Sequence, residues 1–249
     1  MSEIVCITVS TNYEDLLNII MPQNAKFFKR WYIVTAESDT KTIEAIQSFN
    51  SPTIHILFYD FFSEGAKFNK GGALRYAQTK VQEDGYIDNP ILILDSDIFL
   101  PNNFLDSLSN VTIEDETLYG ISERRDYYCY NDFLKNTNYS IHSHSKNFQG
   151  CFQLYKSGNK YESSNDCGEC DYVFRDLFAK KIHLTLTVQH LGLDGVNWGG
   201  RDGKRNKFFL EEHEERAWKK KIERCVQRVY ERTKKTPTSV CVGYYKLYF

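Results

Sequence analysis

Two carboxylates spaced two residues apart, Asp95 and Asp97, close an apolar run that begins at Ile91 and resumes at Ile98, Phe99 and Leu100 before Pro101. A pair of hard oxygen ligands suits Mg²⁺ or Mn²⁺, which take one or two carboxylates from a protein and leave their other positions to water and substrate phosphate. Side chains two apart on an extended chain point the same way, so both aspartates should look towards one spot. Residues 91–94 spell a short strand buried on both faces. In an open α/β sheet, ligands bind in the crevice outside the carboxyl ends of the strands, where this pair would sit. A turn with two solvated carboxylates would carry the same letters, and only the strand in front of the pair separates the two readings.

Elements must deliver several strand ends to that place. Apolar runs at 4–9, 31–35, 54–59 and 91–94 read as strands, and helical spacing appears between them. The first helix carries Leu16, Leu17, Ile20 and Phe27 and is disturbed at Pro22. The second carries Ile43, Ile46 and Phe49 behind a cap at Ser38 or Asp39. The third carries Leu74, Ala77 and Val81 after a flexible turn at 68–72. Such alternation predicts an α/β fold with a mainly parallel sheet flanked by helices. Past Pro101 the rhythm changes to strands at 118–122, 150–155 and 182–188 and a helix at 171–178, while 124–148 fits no element. Residues 192–207 read as a mobile loop. A helix over 210–235 follows from the spacing of Trp218, Ile222, Cys225, Val226 and Val229, and its basic residues read as a solvated face. The alternating, aromatic tail from 240 onward is expected to add an edge strand or dock on the body. The expected organisation is one domain over 1–207, with a C-terminal helix and tail over 208–249 packed on it.

Composition narrows the classes. The chain of 249 residues, 41% hydrophobic and 15% aromatic, can bury a full core. A net charge of -2 gives no footprint for a general nucleic-acid binder. There is no basic start with a small-residue cleavage site, and no apolar run approaches about 18 residues, so a cytoplasmic location without a transmembrane segment is expected. Seven cysteines, an odd number, fit reduced thiols better than a disulfide framework. Cys167 and Cys170 have the spacing of half a zinc site but no second pair, and His142 with His144 is a weaker signal still.

Asn69, Lys70, Gly71, Ala73 and Arg75 form an Asn-Lys-Gly-x-Ala-x-Arg turn and helix before the Ile-Leu-Asp-Ser-Asp strand end. With three βα units in front, this order over 4–200 resembles the nucleotide-sugar-dependent glycosyltransferases of the GT-A fold. That resemblance implies a Rossmann-like sheet, a Mn²⁺ or Mg²⁺ ion and a nucleotide-diphosphate sugar donor, a UDP-sugar foremost, with a glycan or other hydroxyl acceptor. It makes Asp97 the direct metal ligand, Asp95 a ligand of the metal or ribose, and His190 a further metal ligand at the end of a late strand. Ser10, Thr11, Glu37 and Asp39 would line the nucleoside pocket, and Lys70 and Arg75 would help with phosphate or donor sugar. Asp171, in Glu169-Cys-Asp171, would be the general base of an inverting reaction. An N-capping aspartate would explain the same position. Gly150 would let sugars approach the backbone, while Trp198 could stack on a sugar and Arg201, Lys204 or Arg205 reach the diphosphate.

Two rivals stay open. A nucleotidyltransferase shares such a sheet, but usually grips its triphosphate with a glycine-rich, basic loop after the first strand. Ser10-Thr-Asn-Tyr13 has neither glycine nor basic residue. A non-catalytic carbohydrate-binding or interaction module would need neither metal nor nucleotide, and the intact aspartate pair speaks against it.

Overall fold

The structure, a computed structural model, describes residues 3–127, 129–143, 148, 150–156, 158–164, 169–192, 231, 239–242 and 245–248. The first half is built as the spacing predicts: β1 (Val5–Val9), α1 (Glu14–Asn24), β2 (Arg30–Thr35), α2 (Thr40–Phe49), β3 (Ile54–Phe58), α3 (Lys70–Glu83) and β4 (Ile91–Leu94). Then come β5 (Ile98–Phe99), α4 (Phe104–Leu108), β6 (Thr117–Tyr127), α5 (Tyr130–Lys135), β7 (Tyr139–Ser143), β8 (Phe152–Tyr155), α6 (Cys170–Asp176) and β9 (Lys180–Leu191). A separate antiparallel hairpin, β10 (Ser239–Val242) and β11 (Tyr245–Tyr248), lies beside β7.

The main sheet runs β3-β2-β1-β4-β8-β6-β9-β5, with β7 added on β6. The strands β1, β2, β3, β4, β6 and β9 share one direction, and β5, β7 and β8 oppose it. It is therefore a mainly parallel sheet, with helices on both faces. Alternation along the strands explains the two layers of core. Cys6, Leu92 and Leu94 pack with Leu16, Leu17 and Ile20 of α1 and Ile46 of α2. Val5, Ile7, Ile91 and Ile93 pack instead with Ala73, Leu74, Ala77 and Val81 of α3 and Phe174 of α6. All four β4 side chains are buried, which accounts for its unbroken apolar run.

Several expectations change in detail. α1 continues through Pro22 to Asn24 before tightening into a 3₁₀ turn at Ala25–Phe27. The segment opening α3 is no flexible turn, because Asn69 caps the helix by accepting from the Gly72 N–H at 2.7 Å. β6 runs to Tyr127, well past the apolar stretch, and pairs with β7 in the segment that fitted no element. His190 lies within β9 rather than after it, and α6 begins at Cys170, one residue before the expected start, with Asp171 in its first turn. The helix expected over 210–235, apart from Glu231, lies outside the described residues, as does the loop carrying Trp198, Arg201, Lys204 and Arg205. Among the described residues, Cys6, Cys129, Cys151 and Cys170 are free thiols, and no helix is long and apolar enough to cross a membrane. Cys167 lies outside them.

Candidate active site

Because Ile91 and Ile93 face α3 and α6, Asp95 continues their row at the end of β4. There it meets Lys70, whose Nζ lies 3.0 Å from Asp95 Oδ1 and 3.2 Å from Asp171 Oδ2. Lys70 thus bridges two carboxylates, one on the strand end and one on α6. Burial works against its charge, yet Asp171 and Asp95 together hold its pKa above the usual lysine range. Asp95 shows the converse: burial pushes its carboxyl up to about 6 against the pull of Lys70, and the charges of Asp97 and Asp171 add to the rise. Three carboxylates therefore feel one another at this end of the sheet.

Asp171 is held by contact and hydrogen bond. A Cβ on Gly150 would stand 1.9 Å from Asp171 Oδ2, so the carboxylate rests directly on the backbone there. This close approach is the physical need for a glycine at 150; the space expected for a sugar is taken by Asp171. The Tyr161 hydroxyl lies 3.2 Å from Asp171 Oδ1 and also donates to Gln153 Oε1. Gln153 Nε2 in turn donates to the Asp171 carbonyl at 3.2 Å. Asp171 is not the cap of α6: the N-cap position is Glu169, and no side chain caps there. Gly71 is equally constrained, since a Cβ would fall 2.0 Å from the Glu162 carbonyl oxygen, and that contact seats the opening of α3.

Asp97 turns to a second cluster. His190 Nε2 is 3.2 Å from Asp97 Oδ2, and His190 Nδ1 is 3.0 Å from Asp126 Oδ1. Arg124 holds Asp126 through Nε at 2.7 Å and its terminal nitrogen at 3.2 Å. Burial resists the charge of His190, but Asp97 and Asp126 outweigh it and bring its pKa up to about 9. Burial likewise opposes the Asp126 charge, and Arg124 and His190 hold that carboxyl below its usual range.

The donor chemistry fits a divalent cation at Asp97 and His190. Adjacent ligands on an octahedral ion of this type stand about 3 Å apart, close to the observed spacing, and one ring nitrogen is backed by a carboxylate as in many metal-bound histidines. Among the described residues no three His, Cys, Asp or Glu side chains form a ready cage. Because 95–97 form a turn rather than extended strand, Asp95 and Asp97 do not look towards one spot as expected: Asp95 faces Lys70, while Asp97 and His190 make one carboxylate–imidazole pair.

The other expected residues fall in different places. Ser10 and Thr11 follow β1 and are buried, and neither hydroxyl has a hydrogen-bond partner among the described residues. Asp39 is occupied by structure: it accepts from the Asn12 N–H at 2.6 Å, the Thr35 hydroxyl at 3.2 Å and the Thr42 N–H at 3.2 Å. It ties the loops after β1 and β2 together and caps α2. Glu37 is exposed beside it, and Arg75 is exposed about 140° round α3 from Lys70. Sequence reading missed Arg124, Asp126, Gln153 and Tyr161. Arg124 and Asp126 are two apart on one strand, a signal that would have spoken had β6 been extended past its apolar part.

A pH dependence follows for the protein in chelator. The folded pKa of His190, about 9, exceeds the ordinary 6.5, so the folded state keeps a proton that the unfolded chain releases. The stability this gives is complete below about pH 6.5 and lost as pH rises through about 9. Urea unfolding should show a loss on the order of 1–3 kcal/mol between about pH 6 and pH 9.5. His190→Gln should flatten that part of the slope.

No protein-family model matches the chain, and no curated protein matches it either. Solved structures give loose overlays. A 4-diphosphocytidyl-2C-methyl-D-erythritol synthase is similar at 13% identity and a TM-score of 0.45, over 73% of this chain and 89% of its own. The inositol-1-phosphate CTP transferase from T. maritima overlays at 10% identity and a TM-score of 0.33, over 61% and 70%. Mouse xyloside xylosyltransferase 1 does so at 10% and 0.33, over 62% and 66%.

Proposed function

We propose that the protein is a metal-dependent glycosyltransferase of GT-A type, moving a sugar from a nucleotide-diphosphate sugar, a UDP-sugar foremost, to a hydroxyl acceptor with inversion. One observation carries the reading: at the carboxyl end of β4, Asp97 faces His190 at 3.2 Å while Asp95 and Asp171 share Lys70 at 3.0 and 3.2 Å. A cation-binding pair and an anchored carboxylate thus share one strand end.

Asp97 and His190, with Asp95 beside them, would hold the Mn²⁺ or Mg²⁺ ion. When bound, the ion supplies neutralisation of the charge that grows on the departing diphosphate. Asp171 takes the proton of the acceptor hydroxyl as its oxygen bonds to the anomeric carbon, while the bond from that carbon to the diphosphate oxygen breaks and the nucleoside diphosphate leaves with the electron pair. Gly150 and Tyr161 hold Asp171 in place for that transfer, and Lys70 fixes its separation from Asp95. Lys70 would act here as a clamp between the two carboxylates. Ser10 and Thr11, which follow β1, would line the nucleoside pocket.

The loop after β1 counts against the nucleotidyltransferase reading. Its Asn12 N–H, which could otherwise reach a phosphate, is committed to Asp39 at 2.6 Å. Calorimetric titration of nucleoside diphosphates, triphosphates and their sugars, with Mn²⁺ and then chelator, decides. Binding of one diphosphate or its sugar only with metal is expected. A preference for a triphosphate would favour the rival, and no nucleotide binding would return the chain to a carbohydrate-binding module.

A further inference from the structure

We infer that Asp126, held by Arg124, is a positioning residue for the proposed metal site, setting the His190 ring so that Nε2 is the nitrogen offered beside Asp97. This rests on the metal-dependent reading above. The backbone lays the groups in one row: Asp126 of β6 stands opposite His190 of β9, and His190 stands opposite Ile98 of β5, the residue after Asp97. The Leu191 N–H donates to the Asp97 carbonyl at 2.8 Å, tying the backbone of one ligand to the strand that carries the other.

Chemistry then fixes which nitrogen does what. Both ring nitrogens face a carboxylate, and an ionised carboxylate only accepts, so without a cation Asp97 and Asp126 each answer one N–H. Once a cation takes Asp97 and the ring is neutral, Asp126 Oδ1, 3.0 Å from Nδ1, keeps accepting from the Nδ1–H and leaves Nε2 with the free electron pair. Arg124 forks onto both Asp126 oxygens, which prevents the carboxylate from turning away. Arg124, Asp126 and His190 are 3%, 0% and 5% exposed. Such a buried ionic cluster is a weak stabiliser, because apolar residues of similar volume often serve a fold as well or better. Stability alone therefore gives little reason for it, whereas orienting a ligand does.

The test compares full-length wild type with the double variants R124M/D126L and R124M/D126N. Mn²⁺ is titrated calorimetrically, and the imidazole nitrogens of the Mg²⁺-loaded protein are read by ¹⁵N correlation spectra. The apolar pair should still fold, with a lowered melting temperature because the buried Nδ1–H loses its acceptor, and bind Mn²⁺ about 10–100-fold more weakly. R124M/D126N keeps an amide oxygen for the Nδ1 proton and should recover most of that affinity. A folded apolar variant that binds Mn²⁺ as tightly as wild type would overturn the inference and leave the metal reading standing. Should that variant not fold, the wild-type spectrum decides: the proton on Nδ1 supports the inference and a proton on Nε2 overturns it. Wild type that takes up no Mn²⁺ would bring down the metal reading and this inference with it.

Discussion

Asp97→Ala should give a folded protein without metal-dependent turnover. Asp97 is 6% exposed and faces the His190 ring, so its removal takes away one of the two groups positioned to hold the cation. Charge stabilisation by a bound ion is worth several kcal/mol in the transition state, and about 4 kcal/mol corresponds to a thousandfold in rate. A drop in kcat/KM of at least about a thousandfold is expected, with Mn²⁺ uptake lost in the same variant. Truncating one partner of a buried ion pair usually costs about 3–5 kcal/mol, because the other charge stays buried and unanswered. His190 has another course. Without Asp97 its proton loses the attraction that held it, and the ring can go neutral while Asp126 still accepts from Nδ1. The stability cost should therefore stay nearer about 1–2 kcal/mol, leaving a cooperative thermal transition. Steady-state rates with and without Mn²⁺, beside a melting curve, check both halves; full turnover in a folded Asp97→Ala protein would sink the metal scheme.

The first hundred residues were legible because β1, β2 and β4 are buried on both faces, and β3 still spells an apolar run although it is only half-buried. Continuous runs such as Ile91, Leu92, Ile93 and Leu94 leave little room for another element. The second half was harder for a physical reason. β6 and β9 take their ends past the apolar layer, so Arg124 and Asp126 sit in strand positions that read as loop when polarity is the guide. β7, with exposed Tyr139 neighbours on one side of its alternation, gives the weak pattern of a strand half in solvent. Within the site, the aspartate pair was visible because a buried strand runs directly into it. What each carboxylate touches was not visible, because that depends on side chains up to a hundred positions apart. Asp95 meets Lys70, Asp97 meets His190, and Asp171 meets both Lys70 and the bare backbone of Gly150. Asp39 shows the opposite limit: a strand-end aspartate looks alike whether it awaits a nucleoside or, as here, answers three donors of its own chain.

Asp171→Asn should abolish transfer while sparing the donor complex. A positioned base contributes about a hundred- to ten-thousandfold, and a loss of kcat in that range is expected with the metal-dependent affinity for the nucleoside diphosphate nearly unchanged. The amide fits the site in one orientation. Its oxygen can face Lys70 while its nitrogen donates to the Tyr161 hydroxyl, whose own proton is given to Gln153. Lys70 keeps only Asp95 as counter-ion, so stability should fall by roughly 1–3 kcal/mol while the protein still folds. A second variant reaches the same carboxylate without changing it. In Gly150→Ala the new methyl would stand 1.9 Å from Asp171 Oδ2, so the carboxylate must leave its seat. If Asp171 is the base, both variants lose kcat, and both still bind the nucleotide with metal. A full rate in Asp171→Asn would make Asp171 only the counter-ion of Lys70 and place the proton elsewhere. Loss in Asp171→Asn with an unchanged rate in Gly150→Ala would mean that its charge matters and its position does not, contrary to a proton transfer that needs hydrogen-bond reach. The anomeric configuration of the product, read by NMR in wild type, completes the argument, because a base acting opposite the departing diphosphate requires inversion.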